Sequence, residues 1–76
     1  MSINANDYSL DNGATLIEIK KARTFGYIVL AKTHSKYDPY VTWWATDERE
    51  PKKLDCMSGH YYEKLESAVK DFASRE

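Results

Sequence analysis

A single cysteine, Cys56, stands in a chain of 76 residues, so no internal disulfide can staple the fold. That usage suits a reducing compartment. Glycine and proline are sparse, with three and two residues, and the glycines at 13, 26 and 59 are scattered. No glycine-rich phosphate loop can be built from them. Long apolar runs are absent: the longest, Tyr27 to Ala31, is far too short to span a bilayer. The opening MSINANDYSLDNG has neither a basic start nor an apolar stretch, so it does not read as a signal peptide. The expectation is a cytoplasmic protein with no membrane association.

Charge of one sign is also missing. The net charge is -1 and the pI about 6.1. Residues 1–44 carry +1 and residues 45–76 carry -2. This argues against non-specific nucleic-acid binding, which needs a basic surface.

Aromatic residues are plentiful: six Tyr, two Trp and two Phe. A chain this short buries only about 60% of the surface its unfolded form exposes. Large rings are one way to build sufficient core from few residues. The length predicts one domain over residues 1–76, with residues 1–7 flexible.

Local patterning predicts an α+β fold. Asp11-Asn12-Gly13 is a turn signal, because Asn and Gly accept positive φ cheaply. Thr15 to Ala22 reads either as a strand, with Ile17 and Ile19 on one face, or as a helix. The β-branched residues favour the strand. Phe25 to Thr33 is the clearest strand, followed by a polar loop to Pro39 and a second strand, Tyr40 to Thr46. The latter carries Trp43 on one face and Trp44 on the other, which means either a central position or one Trp exposed for a reason. Asp47 to Lys53 is a charged hairpin loop. Leu54 to Tyr62 is a third strand with a bulge or bend at Ser58-Gly59. From Glu63 a helix follows, with Tyr62, Leu65, Ala68, Val69 and Phe72 as its buried stripe and Glu63, Lys64, Glu66, Lys70 and Asp71 as its solvated face. The predicted architecture is an antiparallel sheet of three strands, or four with a short one at Asp7 to Leu10, under one C-terminal helix (β-β-β-α). One helix covers one sheet face and leaves the other to solvent or a partner.

Chemistry-bearing clusters are few. Cys56 and His60 have a C-x-x-x-H spacing, with His34 as a third candidate, but structural zinc needs four ligands. A Cys-His nucleophile has no local support, and free cysteine commonly just packs. Asp47, Glu48 and Glu50 surround Arg49 in a loop, as a solvated charged turn does. Neither a metal nor a cofactor is expected, and the chain reads as non-enzymatic.

The aromatic set is the more informative feature. Tyr27, Tyr40, Trp44 and Tyr61, with His60 and Lys36 as polar neighbours, are the candidate contacts of a sheet-face platform. Trp and Tyr are common anchors of protein interfaces, which makes a protein partner the leading expectation. The alternative stacks bases of a single-stranded nucleic acid on the same face, with Lys32, Lys36, Lys52 and Lys53 supplying charge. Core packing is the plain reading of the same rings. An unpaired sheet edge also allows a homodimer.

Gly26 to Arg75 carries Tyr-Val-Thr-Trp (40–43), Gly-His-Tyr-Tyr (59–62) and Leu-Glu-Ser-Ala-Val-Lys-Asp-Phe (65–72). This run resembles small proteins carried by phages and conjugative elements of Gram-positive gut bacteria. The resemblance implies a setting in which inhibitors of host defence, such as anti-CRISPR proteins, and accessory regulators occur. It supplies no active site. The chain lacks the strong acidity of DNA-mimic inhibitors, which leaves inhibition through an ordinary protein interface.

Overall fold

The computed structural model describes residues 4–75. Five strands and one helix follow in the order β1 (Ser9–Leu10), β2 (Thr15–Lys21), β3 (Tyr27–Lys32), β4 (Tyr40–Thr46), β5 (Lys53–Tyr62) and α1 (Leu65–Ser74). They form one sheet in the order β1-β5-β4-β3-β2, with β4 at its centre. The α+β class and the C-terminal helix agree with the sequence. The strand count and pairing do not. β1 joins as a fifth strand and runs parallel to β5, so the sheet is mixed. Sequential strands joined by short turns pair antiparallel, as β2 to β5 do. β1 escapes that rule because its partner lies more than forty residues along the chain.

The sheet curls until its two edges approach. β1 and a 3-10 turn at Ala5–Asp7 lie against β2, the opposite edge. The curl encloses Leu10, Ile19, Val29, Ala31, Val41, Trp43, Ala45 and Leu54. This corrects the expectation of an open second face: that face is the main core. Residues 4–7 make local contacts. The Asn4 side chain accepts from the Asn6 backbone N–H at 3.0 Å, and Ala5 packs on the core. Residues 1–3 of the expected flexible segment lie outside the described residues.

Two irregularities shape the faces. In β2 the register shifts between Leu16 and Glu18, leaving Ile17 as the extra residue. A bulge switches the alternation, so Leu16 joins Ile19 at the core and Ile17 is 39% exposed. The expected Ile17–Ile19 face therefore does not form. In β5 Ser58 and Gly59 together oppose Trp43, as the sequence suggested. Ser58 takes a left-handed φ of 56°, which completes the bulge.

The helix sits on the other sheet face, over β3, β4 and β5. Its buried stripe is rotated from the expected one. Ala68 is fully buried and Phe72 partly so, while Leu65 and Val69 are 42% and 45% exposed. Asp71, expected in solvent, faces the sheet. It accepts a hydrogen bond from Thr42 Oγ1 at 2.5 Å, and His60 Nδ1 lies 3.0 Å from the same oxygen. Arg75 Nη1 donates to Thr42 O, Thr42 Oγ1 and Ser58 O at 3.2, 3.1 and 3.0 Å. The reason is Thr42, a fully buried hydroxyl in the central strand. A buried polar group needs partners, and the helix turns its polar flank inward to supply them. No helix among the described residues is long and apolar enough to cross a membrane.

Candidate functional site

Cross-strand partners share a sheet face, and neighbours along a strand alternate. That rule divides the expected aromatic platform in two. Tyr27 pairs with Ala45 and Tyr61 with Val41, which places both on the core face. Trp44 pairs with Ile28 and Met57, and Tyr40 with Lys32 and Tyr62, which places these two on the helix-bearing face. His60, opposite Thr42, also lies on the helix side, and its Nδ1 is engaged by Asp71. Lys36 is exposed in the loop between β3 and β4. The six candidate contacts are not brought together.

Several rings have local duties. Trp44 Nε1 donates to Phe25 O at 3.0 Å, and the two rings meet edge to face at 5.0 Å. Gly26 permits this contact. Its φ is +80°, and an added Cβ would fall 2.7 Å from Ala45 O and 2.9 Å from Trp44 Nε1. The Tyr27 and Tyr8 hydroxyls lie 3.5 Å apart. That hydrogen bond, then burial, pushes the Tyr27 phenol up to about 12. It stays neutral at physiological pH and has a structural role.

Tyr61 is different. It is 54% exposed and meets Trp43 edge to face, with centroids 6.1 Å apart and planes at 90°. Trp43 itself is 6% exposed and closes this end of the core. Its indole lies directly over Gly59, where an added Cβ would come within 2.6 Å of Nε1. Glycine at the bulge thus lets the indole approach the backbone closely. Asn12, Ala14, Thr33 and His34 complete a groove of about 320 Å³ around the two rings. Asn12 Oδ1 accepts from the Ala14 N–H at 3.0 Å, which holds the turn leading into β2.

This is a shallow site floored by aromatics and edged by a few polar groups, the general character of ligand sites. Two other hollows differ in chemistry. One, of about 450 Å³, is lined by Asp11, Arg49, Glu50, Lys53 and Asp55. There Arg49 forms a two-pronged pair with Asp55 and holds that carboxyl below its usual range. The other, of about 400 Å³, lies beside Phe25 and Tyr27 and carries Lys21, Asp47 and Glu48.

Of the expected contacts, only Tyr61 lines the groove. Trp43, Ala14, Asn12, Thr33 and His34 were not among them. One signal for Trp43 was available: a Trp opposite a Ser-Gly bend marks a close backbone approach. Ala14 and Thr33 carry no chemical signature at all.

Cys56 and His60 are not brought together. Cys56 pairs with Ala45 and His60 with Thr42, so their side chains leave opposite faces of β5. The Cys56 thiol is half-buried against the core, and burial, then Asp11 and Asp55, pushes it up to about 12. A thiol so raised offers almost no thiolate, the reactive form. Cys56 should therefore react with a disulfide reagent at pH 8 far more slowly than a free peptide thiol, and reach the free rate in urea. Equal rates without urea would contradict the packing.

None of the protein-family models, curated proteins or solved structures compared with the chain matches it.

Proposed function

We propose that this chain is a non-enzymatic protein-binding module that takes an apolar side chain of its partner into the Trp43–Tyr61 groove. The observation that carries this is Tyr61, a large ring left 54% exposed beside a buried Trp at the mouth of an otherwise closed core. Aromatic anchors at the centre of an interface contribute most of its affinity. In the mobile-element setting that the resemblance implies, the partner is a host-defence protein and the module its inhibitor.

The geometry shifts the contact from an open sheet face to the end of the curled sheet, because both faces are covered. It also weakens the nucleic-acid alternative. Base stacking wants several rings on one basic face, and here the rings diverge.

The test compares capture of proteins from host lysate by the tagged chain and two variants. Tyr61→Ala removes a wall, and Ala14→Arg sets a charge in the groove. A partner retained by the wild type and by Phe25→Ala should bind either groove variant about 30-fold more weakly, the ~2 kcal/mol of an interface hot spot. A cooperative melting transition well above the assay temperature would show that each variant folds. Capture that survives both groove variants would sink the proposal, as would a mobility shift of single-stranded DNA at low salt without protein capture.

A further inference from the structure

We infer that the partner segment is an extended strand that adds to the outer edge of β5 and sets one apolar side chain into the groove. This rests on the groove reading above and names the form of the partner. β5 is ten residues long, but β1 pairs with only its first two, Lys53 and Leu54. The last bond on that side runs from the Asp11 N–H to Leu54 O at 3.0 Å. Beyond Leu54, among the described residues, no backbone hydrogen bond reaches the outer edge of β5. Such a row of N–H and C=O groups is a template that an extended chain satisfies.

The two edges of the sheet are not alike. β2 carries Lys20, Lys21 and a bulge at Ile17, and has β1 and the 3-10 turn against it. These are the usual protections of an edge. The β5 stretch Cys56–Tyr62 holds no Lys, Arg, Asp, Glu or Pro. Among the described residues its protections are the bulge at Ser58-Gly59 and the Arg75 guanidinium, which donates to Ser58 O at 3.0 Å. Tyr61 belongs both to this edge and to the groove. A strand laid on the edge points alternate side chains to the core face, where the groove opens between Tyr61 and Ala14.

A second copy of this chain fits less well. Two-fold antiparallel pairing of residues 56–62 with themselves would centre on Gly59 and set bulge against bulge. A regular strand from another protein meets that irregularity once. The occupant is therefore an uncharged extended segment with a large apolar residue at its middle.

The probes are blocked heptapeptides, Gln-Thr-Val-X-Val-Thr-Gln, with X as Gly, Ala, Leu, Phe or Trp, titrated into the full chain and followed by amide and indole NMR shifts. Shifts should concentrate at Met57 to Tyr62 and at the Trp43 indole. Affinity should rise at least about tenfold from Gly to Trp. Methylating alternate peptide nitrogens along one edge of the Trp peptide should cost about tenfold, and along the other edge nothing. If both methylated peptides bind equally while Tyr61→Ala still weakens binding, the groove stands and strand addition falls. If no peptide shifts Trp43 or Tyr61 at millimolar concentration, both fall. If the chain alone sediments as a dimer joined through these amides, the occupant is a second copy and the inference is overturned.

Discussion

Trp43→Ala should lose about 3–5 kcal/mol of folding stability, the usual cost of deleting a buried Trp. A domain of this length holds only about 4–11 kcal/mol in all, so the variant stands at the edge of unfolding. The indole caps the core at the groove end and is wedged between Gly59 and Tyr61. Val41 and Ala45, its neighbours on the same face, are held in the same strand and cannot move into the space. At an m-value of about 1 kcal/mol/M the urea midpoint falls by roughly 3 M or more. Tyr61→Ala is the contrast. That ring is largely outside, and its removal should cost about 1 kcal/mol or less. Trp44→Ala should fall between them, since Trp44 is half-buried and loses one hydrogen bond to Phe25 O. If Trp44→Ala proves more costly than Trp43→Ala, the assignment of faces is wrong. The series also separates the two roles of the site: Trp43 holds it up, and Tyr61 meets the partner.

Much of the scaffold was legible because its signals are local. Tyr, Ile and Val in β3, the turn at Asp11-Asn12-Gly13, the bulge at Ser58-Gly59 and the central placing of β4 all follow from short stretches of sequence. The misses are non-local. The short strand expected within Asp7 to Leu10 forms at Ser9–Leu10, but only the closing of the sheet sets it parallel beside Lys53 and Leu54. That closing turns the supposedly open face into the core. The bulge at Ile17 is likewise invisible, since β-branched residues on either side fit a regular strand equally well. The groove draws on four separate segments, and a third of its lining, Ala14 and Thr33, is chemically plain. The helix stripe was misplaced because apolar spacing alone cannot see a buried hydroxyl across from it. Thr42, set among apolar neighbours in a central strand, was the clue that Asp71 and Arg75 would turn inward.

That inward turn carries the second large effect. Asp71→Ala should destabilise the fold by about 1.5–3 kcal/mol, the range for hydrogen bonds to a charged group. It strips Thr42 of its acceptor inside the sheet and leaves His60 without the carboxylate that neighbours it. Fraying should begin at the C-terminal half of α1, because this cluster and the Lys20 contacts to Phe72 and Ala73 are what fasten it. The charge can be separated from the shape with Asp71→Asn. Burial alone pushes the Asp71 carboxyl up, but hydrogen bonds from Thr42, His60 and Tyr62 outweigh it and hold the group below its ordinary 3.8. A carboxyl depressed in the folded state stabilises above its unfolded value and loses that contribution as pH falls through the folded one. Followed from about pH 7 to about pH 2, the stability gap between wild type and Asp71→Asn should thus shrink as the pH drops below about 4. Denaturant midpoints across that range would read it directly. A gap that stays constant down to about pH 2 would mean that Asp71 gains nothing from ionising in place. The helix would then be held by packing of Ala68 and Phe72, and not by the polar cluster beneath it.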